Sequence, residues 1–137
     1  MNLREYIDAS KKNTKLNFLR LSLDQLDDSL VESLIYDETV VIFLESLSDH
    51  AGAEQRRMFI ELVNNHCDIP VILSRSCLEK QISSIQINTS VDFGVLLVDG
   101  LGDGIFIAAE DCGSDKNINQ TAFGILQATR TRISKTE

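Results

Sequence analysis

The side chains that could carry chemistry in this sequence are mostly acidic, and they follow apolar runs that predict strands. Glu45 ends the run that begins at Val40, and Asp49 and His50 come a few residues later. Glu45 is the best candidate for a carboxylate perturbed by burial. Asp49 and His50 would suit a general base with an orienting carboxylate, but no serine or cysteine nucleophile has a reason to lie beside them. The pair is therefore a weak candidate.

One stretch, Ser74-Arg75-Ser76, could hold an anion after a third apolar run, although a solvated loop is the simpler interpretation. The other predicted strand ends add Asp24, Glu110, Asp111 and Asp115. Sites in parallel α/β folds form at the carboxyl ends of the strands, so this rim is acidic and would repel a phosphorylated substrate. We name Glu45, His50 and Arg75 as weak candidates, and we assign no catalytic, cofactor-binding or metal-binding residue.

A hinge of alternating glycine and aspartate lies between two apolar runs, in the stretch FGVLLVDGLGDGIFI from Phe93 to Ile107. Gly100, Gly102 and Gly104 supply backbone freedom for a sharp turn. A dinucleotide-binding glycine motif follows a strand and opens a helix, whereas here a buried helix is expected to end near Gly100 and a buried parallel strand to begin near Gly104. We therefore predict a structural hinge and no phosphate site.

The composition limits the kinds of protein and the kinds of partner that remain possible. The chain has 137 residues, 43% of them apolar and 25% charged, which is typical of one globular domain. Its net charge of −8 argues against a nucleic-acid or anionic-membrane surface. With no membrane-length apolar run and no signal-peptide core, a soluble cytoplasmic protein of bacterial type is expected. The spacings of Cys67, Cys77 and Cys112 favour reduced, partly buried thiols over a metal or redox role.

Hydrophobic periodicity predicts a succession of strands and helices. Residues 1–14 form a leading helix or a linker, and Lys15 to Leu23 reads as a strand that is buried on both faces or bulged. Asp24 is expected to cap a helix that runs to about Tyr36. The remaining predicted elements are a strand at 40–44, a helix at 53–66 that buries Met58, Phe59, Leu62 and Val63, a strand that starts at Pro70, a helix clear from about Ser90, a strand at 104–108 and a helix at 119–130.

These elements make about four β-α units, which predicts an α/β fold with a mainly parallel sheet. Four units are half the complement of an eight-fold β/α barrel, and they could equally form an open, doubly wound sheet. The sequence does not choose between these two architectures. We expect residues 1–137 to form a single domain.

The last third of the chain resembles a known family. The matching stretches are FGVLLVDGLGD (Phe93 to Asp103), ILQA (Ile125 to Ala128), and a tail with Arg130, Arg132 and Ser134 to Glu137. In combination they resemble (E)-4-hydroxy-3-methylbut-2-enyl diphosphate synthase, an oxidoreductase of the methylerythritol phosphate route to isoprenoids. Long members of that family carry an inserted domain between a β/α barrel and a domain that holds a four-iron four-sulfur cluster. The resemblance implies that this chain is similar to the inserted central domain.

In the family, the segment resembling residues 130–137 leads into a Cys-Pro-x-Cys motif of the cluster domain, and the substrate-binding residues lie on the barrel. Neither set has a counterpart here, so the resemblance implies a non-catalytic spacer whose partners are the neighbouring barrel and cluster domains. It places the cofactor in the parent enzyme and none in this chain. A homodimer of the isolated chain remains open.

Two other functions compete with the spacer. A docking module for the electron donor is less favoured, because ferredoxins and flavodoxins are usually acidic and a chain of charge −8 would repel them. A stand-alone half-barrel enzyme that uses Glu45 or His50 is disfavoured, because no basic pocket is predicted. Nucleic acids and membranes are not expected as partners.

Overall fold

The computed structural model describes residues 1–8, 12–46, 51–110, 112 and 114–133, with the side chains of residues 131–133 excepted. Four strands are present: β1 (Asn17–Leu21), β2 (Val40–Glu45), β3 (Val71–Cys77) and β4 (Gly104–Ala109). Five α-helices accompany them: α1 (Leu3–Ile7), α2 (Asp28–Ile35), α3 (Ala51–Asn64), α4 (Ile82–Val98) and α5 (Asp115–Ile133). In the described part of the chain, no helix has both the length and the apolar content needed to cross a membrane.

The strands form one parallel sheet in the order β1-β2-β3-β4, and the sheet is not closed. This confirms the predicted α/β class. The helices α2, α3 and α4 each lead from one strand to its immediate neighbour in the sheet, and α4 packs against both α3 and α5. Successive crossovers of one hand place their helices on the same face of the sheet. The arrangement is therefore that of the half-barrel alternative, since a doubly wound sheet carries helices on both faces.

The helix-covered face of the sheet holds the centre of the core. Fully buried side chains from three strands and two helices meet there: Leu19, Leu21, Ile42, Leu44, Leu73, Met58, Leu62, Ile85, Phe93 and Leu96. Burial alternates along β1, where Phe18 and Arg20 are exposed between buried Asn17, Leu19 and Leu21. The prediction that this strand is buried on both faces or bulged was therefore wrong. Apolar residues of β1 point both ways because Phe18 lies on the exposed face of the strand, beside Arg20.

Three helix predictions need correction. Asp27 caps α2 by accepting a hydrogen bond from the backbone N–H of Leu30 at 2.7 Å, while Asp24 lies in a short 3-10 turn, Leu23–Gln25. Val63, expected in the core, is 61% exposed on α3. The helix before the hinge begins at Ile82, well before Ser90, and one of its faces is exposed although it was expected to be buried.

The glycine hinge ends α4 with a Schellman motif. The N–H groups of Gly100 and Leu101 donate to the carbonyls of Leu97 and Leu96 at 3.1 and 2.9 Å. Gly100 and Gly102 have φ values of 77° and 104°, as the predicted hinge requires, whereas Gly104 lies in β4 without positive φ. The backbone N–H of Asp103 donates to the carbonyl of Val71 at 2.8 Å, and Oδ2 of Asp103 accepts from the backbone N–H of Val71, also at 2.8 Å. These two hydrogen bonds fix the start of β4 beside β3.

We predict that Gly102→Ala lowers the free energy of unfolding by about 1–3 kcal/mol, because its positive φ disfavours a Cβ. That Cβ would also lie 3.1 Å from Cγ of Leu73. Gly104→Ala is the matched control, since its Cβ would meet only Cγ1 of Ile72 at an ordinary 3.6 Å. Urea denaturation of both variants measures the difference. Equal midpoints would show that the hinge does not depend on positive φ.

Asp37 ties α1 and its following segment to the α2–β2 loop. Its Oδ2 accepts a hydrogen bond from Tyr6 Oη at 2.8 Å and pairs with Lys12 Nζ at 2.5 Å, and its Oδ1 accepts from Thr39 Oγ1 at 2.6 Å. Burial alone would raise the pKa of Asp37, but the bonds from Lys12, Thr39 and Tyr6 outweigh it and hold that pKa well below its usual range. Burial, and then the bond to Asp37, raises the pKa of Tyr6 to about 12.

Because the pKa of Asp37 is lower in the folded state, its ionised form adds stability above the unfolded pKa of about 4, and that stability is lost as the pH falls further. We expect Asp37→Asn to lower the free energy of unfolding at pH 7 by about 1–2 kcal/mol, with a smaller loss near pH 3. Urea titrations at several pH values measure this. Glu38→Gln, at an exposed neighbour, is the control, and a loss for Asp37→Asn that does not vary with pH would contradict the assignment.

Candidate functional site

The carboxyl ends of β1 and β2 open into a cleft of about 710 Å³. Its walls come from the turn after β1, the end of β2 and one side of α3: Ser22, Leu23, Asp24, Leu26, Glu45, Ser46, Glu54, Arg57 and Glu61. Four carboxylates against one guanidinium make the cleft acidic, as predicted for this edge of the sheet. Such a cleft disfavours phosphates and other anions.

Local hydrogen bonds already engage much of the polar surface of this cleft. Ser22 Oγ donates to Asp24 Oδ1 at 2.5 Å, and Ser46 Oγ donates to Glu54 Oε2 at 2.5 Å. Glu45 faces Arg20 across the exposed face of the sheet, with Oε1 3.6 Å from Nε, and its side chain is 34% exposed. A pair of this kind contributes little to stability. Glu45 thus lines the cleft at the end of β2 and has Arg20 as a partner.

Arg75 lies inside β3, because Ser74, Arg75 and Ser76 belong to the strand and not to a loop. The expectation of a solvated loop there was wrong. The guanidinium points to the helix side, where Nη2 lies 3.1 Å from Glu79 Oε1 and Nη1 pairs with Asp92 of α4. Two carboxylates therefore neutralise the one cation that was predicted to hold an anion.

Glu79 is held in turn by α4. Asn88 Nδ2 donates to its Oε1 at 2.8 Å, and this bond, together with the charge of Arg75, lowers the pKa of Glu79. The residues Arg75, Glu79, Asn88 and Asp92 form one charge network that joins the end of β3 to α4. Its geometry fixes the helix on the sheet.

Sequence reasoning missed Gln55, the most deeply buried polar side chain at this edge. It is fully buried on α3, and its Nε2 donates to the carbonyls of Leu44 and Ser74 at 2.9 and 3.0 Å. It thereby ties α3 to the ends of the two central strands, β2 and β3. The signal was available, because Gln55 is a polar residue at a core position of the helical repeat that includes Ala51, Met58 and Leu62.

We predict that Gln55→Ala lowers the free energy of unfolding by about 2–3 kcal/mol, because it removes both hydrogen bonds and leaves a void. Gln120→Ala, at an exposed position of α5, is the matched control and should cost less than about 0.5 kcal/mol. Chemical denaturation measures both. Similar losses for the two variants would show that the strand ends do not depend on Gln55.

The three cysteines are free and buried, whereas partly buried thiols were predicted. Burial is the main cause that raises the pKa of Cys67 and of Cys77, and it keeps both thiols protonated. Among the described residues, no group of three or more His, Cys, Asp or Glu side chains could hold a metal ion. His50, Asp49 and Asp111 lie outside the described residues, so the predictions on them are untested.

Comparison with known proteins finds bacterial and plant relatives that share a name. No protein-family model and no solved structure matches the chain. A protein of Parabacteroides distasonis named 4-hydroxy-3-methylbut-2-en-1-yl diphosphate synthase (flavodoxin) is 42% identical over 122 residues, which are 89% of this chain and 20% of that protein. A protein of the same name from Phocaeicola vulgatus is 35% identical over 136 residues, 99% of this chain and 22% of that protein.

A plant relative matches less of the chain. The Oryza sativa protein named 4-hydroxy-3-methylbut-2-en-1-yl diphosphate synthase (ferredoxin), chloroplastic, is 37% identical over 84 residues, 60% of this chain and 11% of that protein. The similarity to the bacterial relatives covers most of the chain and not only its last third, while the chain spans about one fifth of their length. The predicted resemblance is therefore confirmed, and the chain is homologous to one section of the 4-hydroxy-3-methylbut-2-en-1-yl diphosphate synthases.

Proposed function

We propose that this chain serves as a non-catalytic structural section of a 4-hydroxy-3-methylbut-2-en-1-yl diphosphate synthase, as the resemblance implies. The observation that carries the proposal is the uneven coverage of the alignments, about nine-tenths of this chain against one fifth of the bacterial relatives. A section that aligns almost throughout inside a much longer protein is best explained as one of its domains. The chain would then be the central domain, between the barrel and the cluster domain.

The described side chains support a role without chemistry. Catalytic groups converge on a point where a substrate can lie, with a nucleophile or base that has an unoccupied direction. Here the polar groups at the strand ends contact one another, as Arg75 does with Glu79 and Asp92, and Gln55 with the backbone of β2 and β3. The interactions at this edge hold helices to strands.

The exposed face of the sheet supports the proposal that this domain packs against other domains. It carries an edge-to-face row of three aromatic rings, Phe18, Phe43 and Phe106, with neighbouring centroids 5.4 and 5.6 Å apart. Phe18 and Phe106 remain 45% and 42% exposed. Parallel sheets are normally covered on both faces, so this row fits a surface that neighbouring parts of a longer chain would cover. A homodimer of the isolated chain remains a prediction.

The four-iron four-sulfur cluster that the resemblance implies does not fit the residues described. Such clusters take four thiolate ligands, whereas the described residues include three buried thiols and no group of three or more His, Cys, Asp or Glu side chains that could hold a metal. In the proposed parent enzyme, other parts of the chain would hold the cluster. The cytoplasmic location stays a prediction.

The proposed role works through rigidity and reach. A compact unit of this length has a radius of gyration of roughly 14 Å, so it separates the parts it connects by some tens of ångströms. A cluster domain must come close to a substrate held at the mouth of the barrel. A rigid spacer between the two would set the distance and angle at which they meet.

We predict that replacing this section of the full-length protein by a Gly/Ser linker abolishes turnover of the cyclic diphosphate, while the cluster still assembles. Alanine at Asp24, Glu45 or His50 should leave turnover within about tenfold, which is ~1.4 kcal/mol of barrier. Steady-state kinetics together with the visible absorption of the cluster measure both effects. These three positions are the matched point variants, since they lie at or near the predicted rim.

A loss of several orders of magnitude from one of the three point variants, with the fold intact, would contradict the proposal by showing chemistry in this section. Full activity of the linker variant would also contradict the proposal, because it would show that turnover does not require a rigid spacer.

A further inference from the structure

The outer side of α4 carries a row of aliphatic side chains and almost no charge. The helix has 17 residues, of which one, Asp92, is charged, and that side chain is paired with Arg75. In a chain of which 25% is charged, an exposed helix should carry several charged groups. Exposed Ser83, Gln86 and Ser90 of this helix are polar but uncharged, and an outer side so poor in charge is typical of a helix that packs against a neighbour.

Four aliphatic side chains form a ridge along this outer side: Ile87, Val91, Val95 and Val98, which are 65%, 61%, 56% and 37% exposed. Their spacing of four, four and three residues places them on one stripe. The opposite stripe, which includes Ile85, Thr89 and Phe93, is fully buried against the rest of the fold. The ridge is therefore a continuous exposed stripe and not a scatter of single apolar residues.

Grooves lined by small residues flank the ridge on both sides. The groove toward α5 has a volume of about 320 Å³, and Ser90, Gly94, Gly124 and Ala128 are among its walls. A Cβ placed on Gly94 or Gly124 would have no atom within 4 Å, so the groove is open. The groove toward α3, of about 430 Å³, includes Gly52 and Ala53. A ridge between two grooves is the surface against which helices pack.

We propose that this ridge and its groove toward α5 form the docking surface for a helix from the segment that follows α5 in the longer chain. The inference rests on the proposed function, which makes this chain one section of a longer protein. The docking helix would present large aliphatic or aromatic side chains to the groove.

The size of the surface favours a tethered occupant over a second copy. A 17-residue helix is ~25 Å long and ~10 Å wide, so its outer side covers only ~250 Å². A stable interface between separate chains needs about 800 Å² from each partner. Two copies of charge −8 would also repel each other. A segment of the same chain needs less area, since tethering raises its effective concentration into the millimolar range.

The position of the end of α5 favours the segment that follows it as the occupant of the groove. α5 lines the groove as far as Thr129 and ends at Ile133, one helical turn further on. A segment that continues from there starts beside the groove and needs only a short connection to reach it. Segments that precede this section have no such tether at the groove.

The test compares maleimide labelling of two single-cysteine additions in the full-length protein, Val91→Cys on the ridge and Val63→Cys on α3. The two valines are equally exposed, at 61% each. We expect the cysteine at position 91 to react at least tenfold more slowly than the one at position 63. The unsubstituted protein gives the background from its own thiols. Equal rates at the two positions would overturn the proposal.

Two further arms identify the occupant. Truncation of the longer protein after residue 137 should restore fast labelling at position 91, and protection that survives the truncation would overturn the proposed segment. In the 137-residue chain, protection that grows with concentration, with a doubled mass by light scattering, would assign the ridge to a second copy. Labelling requires no turnover, so these outcomes are independent of the linker experiment, and either proposal can fail while the other stands.

Discussion

Four parallel strands in sequential order impose the constraint on which the rest of this structure depends. Each strand is reached from its neighbour by a helical crossover of the same hand, so the helices gather on one face of the sheet. The core forms on that face, and the other face keeps the aromatic row of Phe18, Phe43 and Phe106 partly exposed. An open parallel sheet of this kind leaves one apolar face exposed. Parallel sheets are normally covered on both faces, so this face is suited to packing against other parts of a longer chain.

The polar side chains at the carboxyl edge of the sheet hold this incomplete barrel together. Gln55 binds the ends of β2 and β3 from the helix side, and Arg75 binds α4 through Asp92. In many α/β proteins the same edge carries catalytic groups. Here Arg75 and Gln55 fix helices on strands, and the cleft at the ends of β1 and β2 is acidic.

The sequence was sufficient to predict that the four strands exist, because an apolar run such as Val40 to Leu44 and a glycine-rich turn are each recognised within a few consecutive residues. Element ends were less certain, since Asp24 and Asp27 are equally good caps and only the fold selects Asp27. Arg75 also pairs with Asp92, 17 residues away, and Gln55 binds backbone carbonyls 11 and 19 residues away. No local pattern specifies these distant partners, although the helical repeat does indicate that Gln55 is buried. The apolar outer side of α4 was assigned to the core, because hydrophobicity does not distinguish burial within a domain from burial against a neighbour.

The central claim is that this section supplies packing surfaces and no reacting groups. An experimental structure of the full-length protein with substrate bound tests it most directly. The account predicts that residues outside 1–137 cover Phe18, Phe43 and Phe106, and that no side chain of this section lies within hydrogen-bonding distance of the substrate. A substrate atom in contact with Glu45, or an aromatic row left open to solvent, would contradict it.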